Sequence, residues 1–395
     1  MHRFVEQPVI VIAAYNRPGS LKRLLTSVAA ADYNASQNIS LVISIDKSDT
    51  EEVSKLASGF NWKYGDKRII RHGSNLGLRE HILSCGDLTE EYESIILLED
   101  DLVVSRAYYN FSVASLNFYR NSDIIAGISL YAYDVNPYAR VGFQVIDDGF
   151  DTFFMQVPSS WGQIWTRKQW KNFKQHYDSI KDFEFDRRFL PDDVVSWPST
   201  SWKKYFYRYM VDSDTYFVYP RTSYSTNFCD EGSHFLKNNR FQTNLRIRES
   251  SSYRFARLND GLFYDGFYEM KPESLKKYVP ELSSYDFETD LYGTKKTEDF
   301  RSEFIISNKD CSTSISSYGH EMIPREANII FKNPGEYFVL GKLTDFNQVN
   351  RKKEYLMHRT NTKYGIINYR KFIVRDYLGD MFRSFLKKIK PNVFK

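Results

Sequence analysis

Three consecutive carboxylates, Glu99-Asp100-Asp101, follow directly on the apolar run Ile95-Ile96-Leu97-Leu98. Adjacent carboxylates repel and raise one another's pKa unless a cation, hydrogen-bond donors or water compensates. A hard divalent cation, Mn2+ or Mg2+, is the economical partner, because it takes oxygen ligands and bridges to a substrate phosphate. The alternative is a solvated acidic turn that opens a helix, where negative charge suits the positive end of the dipole. The apolar run itself, with two β-branched members, reads as a strand buried on both faces of a parallel sheet. Such sheets bind ligands at the carboxyl ends of their strands.

The elements that position this turn lie upstream of it. Strands are predicted at 9–14, 39–45, 68–70 and 95–98, and helices at 50–56 and 76–83. A further helix starts at Pro18 and runs through Leu21, Leu24, Leu25 and Val28 at helical spacing. Strand-helix alternation of this kind builds a parallel sheet with right-handed crossovers, half of a nucleotide-binding fold. Neither a GxGxxG turn nor a P-loop is present, which removes the dinucleotide and NTPase readings.

Bulk properties bound the rest. With 395 residues, a large domain plus an appendage, or two domains, is expected. The net charge of +4 is too small to argue for nucleic acid. Cys85, Cys229 and Cys311 lie far apart with no metal or disulfide spacing, so the default setting is reducing and cytosolic. Residues 1–8 lack the pattern of a signal peptide, and no stretch approaches the ~20 apolar residues of a membrane span.

Five of the six tryptophans fall between Trp161 and Trp202, suited either to stacking on a sugar or nucleotide ring or to an aromatic core. Further on, 327–331 and 337–340 read as a strand pair around Asn333-Pro334-Gly335. The last segment, 370–395, holds eight Lys or Arg and two Asp, with Val374, Tyr377, Leu378, Met381, Phe382, Phe385, Leu386 and Ile389 on one helical face. Such a basic amphipathic helix suits an anionic membrane surface.

Val11-Ile12-Ala13-Ala14-Tyr15-Asn16-Arg17-Pro18, Ser44-Ile45-Asp46 and Leu98-Glu99-Asp100-Asp101-Leu102, in that order, resemble glycosyltransferases of the GT-A fold. The acidic triplet is similar to the DxD motif as it occurs in relatives of N-acetylglucosaminyltransferase I. Ser160-Trp161-Gly162, Trp165, Trp170, Ser201-Trp202, Tyr219-Pro220 and Gly232-Ser233-His234 resemble bacterial transferases that build lipopolysaccharide and capsule. The resemblance spans roughly residues 8 to 235.

The fold class it implies is α/β, a GT-A domain with a Rossmann-like nucleotide-binding half and a mixed central sheet. A smaller C-terminal accessory region and a terminal amphipathic helix would follow. The expected division is 1–235 catalytic, 236–345 accessory and 346–395 basic tail. The implied function is metal-dependent sugar transfer from a nucleotide-sugar donor, a UDP-sugar, to a bacterial surface glycan such as lipopolysaccharide, O-antigen or capsule. A lipid-linked or oligosaccharide acceptor and a peripheral position at the inner face of the cytoplasmic membrane go with it.

Carried over residue by residue, Asn16, Arg17, Asp46, Arg79, Asp100 and Trp161 would meet the donor, and Asp101 and His234 the Mn2+ or Mg2+, with Glu99 supporting from behind. Asp230 and Glu231 are nearby acidic residues without a role. The family's catalytic aspartate follows a tryptophan, whereas Trp202 here precedes Lys203-Lys204. Asp192 and Asp193 are the substitutes by proximity for a general base; a retaining mechanism would need none. Two alternatives remain open, a sugar nucleotidyltransferase and a non-catalytic glycan-binding protein on the same fold. The first would carry a glycine-rich basic loop where Tyr15-Asn16-Arg17-Pro18-Gly19 stands.

Overall fold

In the computed structural model, which describes residues 7–33, 38–230, 241–248, 250 and 252–347, strands and helices alternate through the first hundred residues. β1 (Val9–Ala14), α1 (Pro18–Ala29), β2 (Leu41–Ile45), α2 (Glu52–Gly59), β3 (Lys67–Arg71), α3 (Gly77–Asp87), the single turn α4 (Thr89–Tyr92) and β4 (Ser94–Glu99) succeed one another. Along β1 and β4 successive residues enter two different cores. Val9, Val11, Ile95 and Leu97 pack on one face of the sheet, and Ile10, Ile12, Ile96 and Leu98 on the other. Because both faces are covered, the strands need apolar residues at every position, which explains their unbroken runs. Pro18 sits in the first turn of α1, where its missing N–H has no helical partner to lose.

The chain continues through β5 (Leu102–Val104), α5 (Tyr108–Tyr119), β6 (Ile125–Ser129), the short pair β7 (Val135–Asn136) and β8 (Val141–Gly142), β9 (Thr152–Met155) and β10 (Gln163–Thr166). Next come α6 (Arg167–Ile180), α7 (Asp192–Ser196), α8 (Trp202–Asp212), β11 (Tyr216–Pro220), β12 (Ser225–Asn227) and β13 (Phe263–Tyr264). The central sheet is mixed, with nine strands in the order β13-β9-β11-β6-β10-β4-β1-β2-β3. β3, β2, β1 and β4 run parallel, and β10 enters antiparallel between β4 and β6.

Beyond it lie α9 (Pro272–Lys276), β14 (Phe287–Asp290), β15 (Phe304–Ser307), β16 (Ser316–Tyr318), α10 (Arg325–Ile330) and β17 (Phe338–Lys342). These form a four-stranded sheet in the order β14-β15-β17-β16. Its Phe287, Ile306, Phe338 and Leu340 join the same hydrophobic core as Val9 and Leu97, so the two sheets share their packing.

One expected strand pair is not formed. Residues 325–330 are helical, and β17 pairs instead with β15 and β16. Pro324 at the N-cap with Glu326 in the first turn starts a helix there, and so short a stretch, apolar but for Asn328, carries no periodicity that separates a buried strand from a buried helical turn. The tryptophans divide. Trp165, Trp170 and Trp202 are core, and Gly86 lacks a side chain because the Trp170 indole occupies the place of its Cβ. Trp161 and Trp197 are only half-buried. No helix among the described residues is long and apolar enough to cross a membrane. The expected basic amphipathic helix falls within 348–395, outside the described residues.

Candidate active site

The parallel register Ala13↔Glu99 and Ala14↔Ile45 sets the ends of β1, β2 and β4 side by side. The residues just past those ends therefore meet. Arg17, the N-cap of α1, reaches across to the turn after β4, where its guanidinium pairs with Asp100 and donates to Asp101 Oδ2 at 3.2 Å. Each of these carboxylates keeps a second oxygen. Asp100 Oδ2 and Asp101 Oδ1 are buried and have no hydrogen-bond partner among the described residues. Burial pushes the Asp100 pKa up to about 6, against the pull of Arg17 and with the push of Asp101. Glu99 is raised as well, first by burial and then by the Asp101 charge, with Arg17 and Lys203 opposing.

Buried carboxylate oxygens without partners, on two successive residues, are the donor type that a hard divalent cation takes. No cluster of three His, Cys, Asp or Glu that could hold a metal forms among the described residues. Mg2+ needs none, since one or two carboxylates plus substrate phosphates and waters complete its shell. The carboxylates present therefore fit the Mn2+ or Mg2+ expected from the sequence, with Asp101 as the residue that would hold it. His234 and Glu231 lie outside the described residues.

Asp46, at the end of β2, is buried and organises the neighbouring loop. Its Oδ1 accepts from the backbone N–H of Lys47 and Leu76, both at 2.8 Å, and its Oδ2 from Gly77 at 3.1 Å. The start of α3 is held by this carboxylate, since the first N–H groups of a helix have no partner within it. Close by, Ser44 Oγ bonds His81 Nε2 at 2.9 Å and His72 Nε2 at 3.0 Å. Burial lowers the His81 pKa to about 4 in spite of the Asp46 charge. Sequence reasoning missed these two histidines, because single histidines in amphipathic segments carry no periodic signal.

The other expected residues are more scattered. Asn16 sits in the loop after β1. Arg79 on α3 is held by Glu80 at 2.9 Å and by the Ser199 carbonyl at 2.7 Å. Asp230 takes hydrogen bonds from Ser20 Oγ and Arg23 over the first turns of α1. Asp192 forms an ion pair with Lys296, and Asp193 is exposed. No hydrogen bond or ion pair joins either to the Glu99–Asp101 turn among the described residues.

Trp161 precedes β10, whose antiparallel register with β4 begins at Gln163↔Leu97, two residues short of Glu99. Gly162 takes φ +91°, and a Cβ there would stand 3.0 Å from Ser225 Oγ, so glycine suits both the backbone and the space. The ammonium of Lys203, at the start of α8, lies near the Trp161, Tyr133 and Trp197 rings. Lys203 entered the sequence reading only as the residue standing where an aspartate was expected.

Residues 9–178, from β1 through most of α6, match the model of glycosyl transferase family 2. No curated protein matches the chain. Among solved structures, S. aureus TarS 1–349 in complex with UDP-GlcNAc is 12% identical, with a TM-score of 0.38 over 58% of this chain and 60% of that chain. The mannosyltransferase PcManGT from Pyrobaculum calidifontis, in complex with GDP-Man and Mn2+, is 10% identical, with a TM-score of 0.29 over 43% and 46%. Both likenesses span less than two thirds of the solved chains' own lengths and are too low to carry an argument.

Proposed function

We propose, from the match of residues 9–178 to glycosyl transferase family 2 and the mixed nine-stranded sheet, a metal-dependent enzyme of GT-A fold that moves a sugar from a nucleotide donor, a UDP-sugar, to a bacterial surface glycan. The observation that carries the reading is the pair of buried, partnerless oxygens of Asp100 and Asp101 beside Arg17 at the carboxyl end of β4. A charged oxygen removed from water without a donor is costly, so such a site is stabilised by a cation or ligand that arrives later. When bound, Mn2+ or Mg2+ there would neutralise charge on a departing diphosphate.

The roles of the chain's own residues follow from their placement. Arg17 has a planar fork already aimed into the turn, and a diphosphate would compete with Asp100 and Asp101 for it. Asp101 holds the cation, Asp100 orients the donor, and Glu99 supports both. Asp46 fixes the loop at Leu76-Gly77 that borders the nucleoside side. Trp161, packed against Tyr131, Tyr133 and Phe241, would meet the sugar with the part of its ring left exposed. A lipid-linked acceptor, with the basic 370–395 segment drawn to an anionic inner leaflet, accords with the composition of that segment.

Hydrolysis of UDP-, GDP-, dTDP- and CMP-sugars, with Mn2+ and with chelator, tests this. UDP-sugars should be turned over only with metal, and Asp101→Asn should lower the rate on the order of 100-fold or more. An undiminished rate in Asp101→Asn, or equal rates with chelator, would sink the metal assignment.

A further inference from the structure

Two adjacent lysines open α8, and they are used differently. Lys204 Nζ donates to the carbonyls of Val195 at 2.8 Å and Trp197 at 2.7 Å and lies over the Phe185 ring, which ties down the loop before the helix. Lys203 Nζ has one hydrogen bond, to Tyr133 Oη at 3.0 Å. Its ammonium stands 5.5 Å from the Trp161 ring centroid, 5.7 Å from Trp197 and 5.8 Å from Tyr133. No carboxylate lies within ion-pair distance of it among the described residues, although Glu99 feels its charge. An ammonium has three donors, so two are free here, pointing from a half-buried position between ring faces.

Aromatic faces stack on the C–H faces of sugar rings, and a lysine between them adds the one charge that such a wall lacks. A neutral sugar would leave that ammonium partly desolvated without a counter-charge. We propose that Lys203 recognises an oxyanion, a carboxylate or a phosphate, on the saccharide acceptor that stacks on Trp161 and Trp197. The proposal rests on the glycosyltransferase reading and specifies the substrate class of the same site.

Binding alone tests it, without turnover. Methyl glucuronide, glucose 6-phosphate and methyl glucoside are titrated against tryptophan fluorescence, since Trp161 and Trp197 are half-exposed. The wild type should bind at least one of the two anionic sugars about tenfold or more tightly than the neutral one, the preferred one naming the group as carboxylate or phosphate. Lys203→Met should erase that preference and Lys203→Arg should keep it, with circular dichroism confirming that both fold. Equal affinity for all three sugars in the wild type, or an anion preference that survives in Lys203→Met, overturns the proposal. Absence of donor hydrolysis by the wild type would instead overturn the glycosyltransferase reading, so the two failures are distinguishable.

Discussion

Carboxylates are buried at the end of β4 and again where the second sheet meets the first, and they are treated in opposite ways. In the second place Asp290 Oδ1 accepts from Lys295 N–H at 3.0 Å, while its Oδ2 takes Ser307 Oγ at 3.0 Å and Lys309 Nζ at 2.7 Å. Glu269 accepts from the backbone N–H of Leu291 at 2.9 Å and Tyr292 at 2.7 Å. Every oxygen there has a donor. At the β4 end, one oxygen of Asp100 and one of Asp101 have none. A saturated cluster serves as a joint, because its capacity to bond is already used. An unsaturated one beside an arginine keeps capacity for something not yet bound. Glu326 shows that openness alone does not make a site. Both its oxygens are buried without partners and burial pushes its pKa up to about 7, but no second carboxylate adjoins it in the chain.

The sharpest way to break this contrast is to remove one carboxylate from each cluster and compare stability. Asp290→Ala strands the Lys309 ammonium and should cost on the order of 3–5 kcal/mol in urea unfolding. Asp101→Asn should cost less than about 1 kcal/mol in the same measurement, because it relieves repulsion from its acidic neighbours. Equal losses would erase the distinction between joint and site.

His81 extends the contrast to a buried base. Its folded pKa of about 4 lies below the ordinary 6.5, so the unfolded chain binds more protons between those values. Stability is therefore full above about pH 6.5 and falls as pH drops toward 4, by about 3 kcal/mol from this group. Denaturant midpoints measured across that window should fall less steeply in His81→Asn than in the wild type; parallel curves would mean the ring ionises freely in the folded protein. A smaller effect is expected at Arg17. Arg17→Lys keeps the charge and loses the fork, and should raise the donor KM about tenfold in the hydrolysis assay. An unchanged KM would remove the fork from phosphate binding.

The first hundred residues were legible because each strand and helix there is local. β1 and α1 run over Val9–Ala14 and Pro18–Ala29, from an apolar run and from Pro18 with its spaced leucines. The acidic turn was legible for the same reason, since three charges ending a buried strand stand out without any knowledge of neighbours. The insertion of β10 between β4 and β6 was not, because it depends on pairing between residues about seventy positions apart. Nor were the helix at 325–330, whose apolar run is too short for a period, or the part played by Lys203. Its meaning comes from rings on three separate segments, at Tyr133, Trp161 and Trp197, that only the folded chain assembles.

β13 consists of two residues, Phe263 and Tyr264, that run along β9. Phe154 N–H is taken by the Leu262 carbonyl at 2.8 Å and Gln156 N–H by that of Tyr264 at 2.9 Å. The opposite border of the sheet, β3, protects itself with Lys67, Arg68 and Arg71, charges that discourage another chain from pairing there. β9 reads Thr-Phe-Phe-Met and has no such charges. Without the segment around 262–264, its bare, aromatic edge would be a template on which copies of the protein could add strand to strand. Those few residues, far along the chain from the acidic turn, thus cover an edge that would otherwise be open to strand addition.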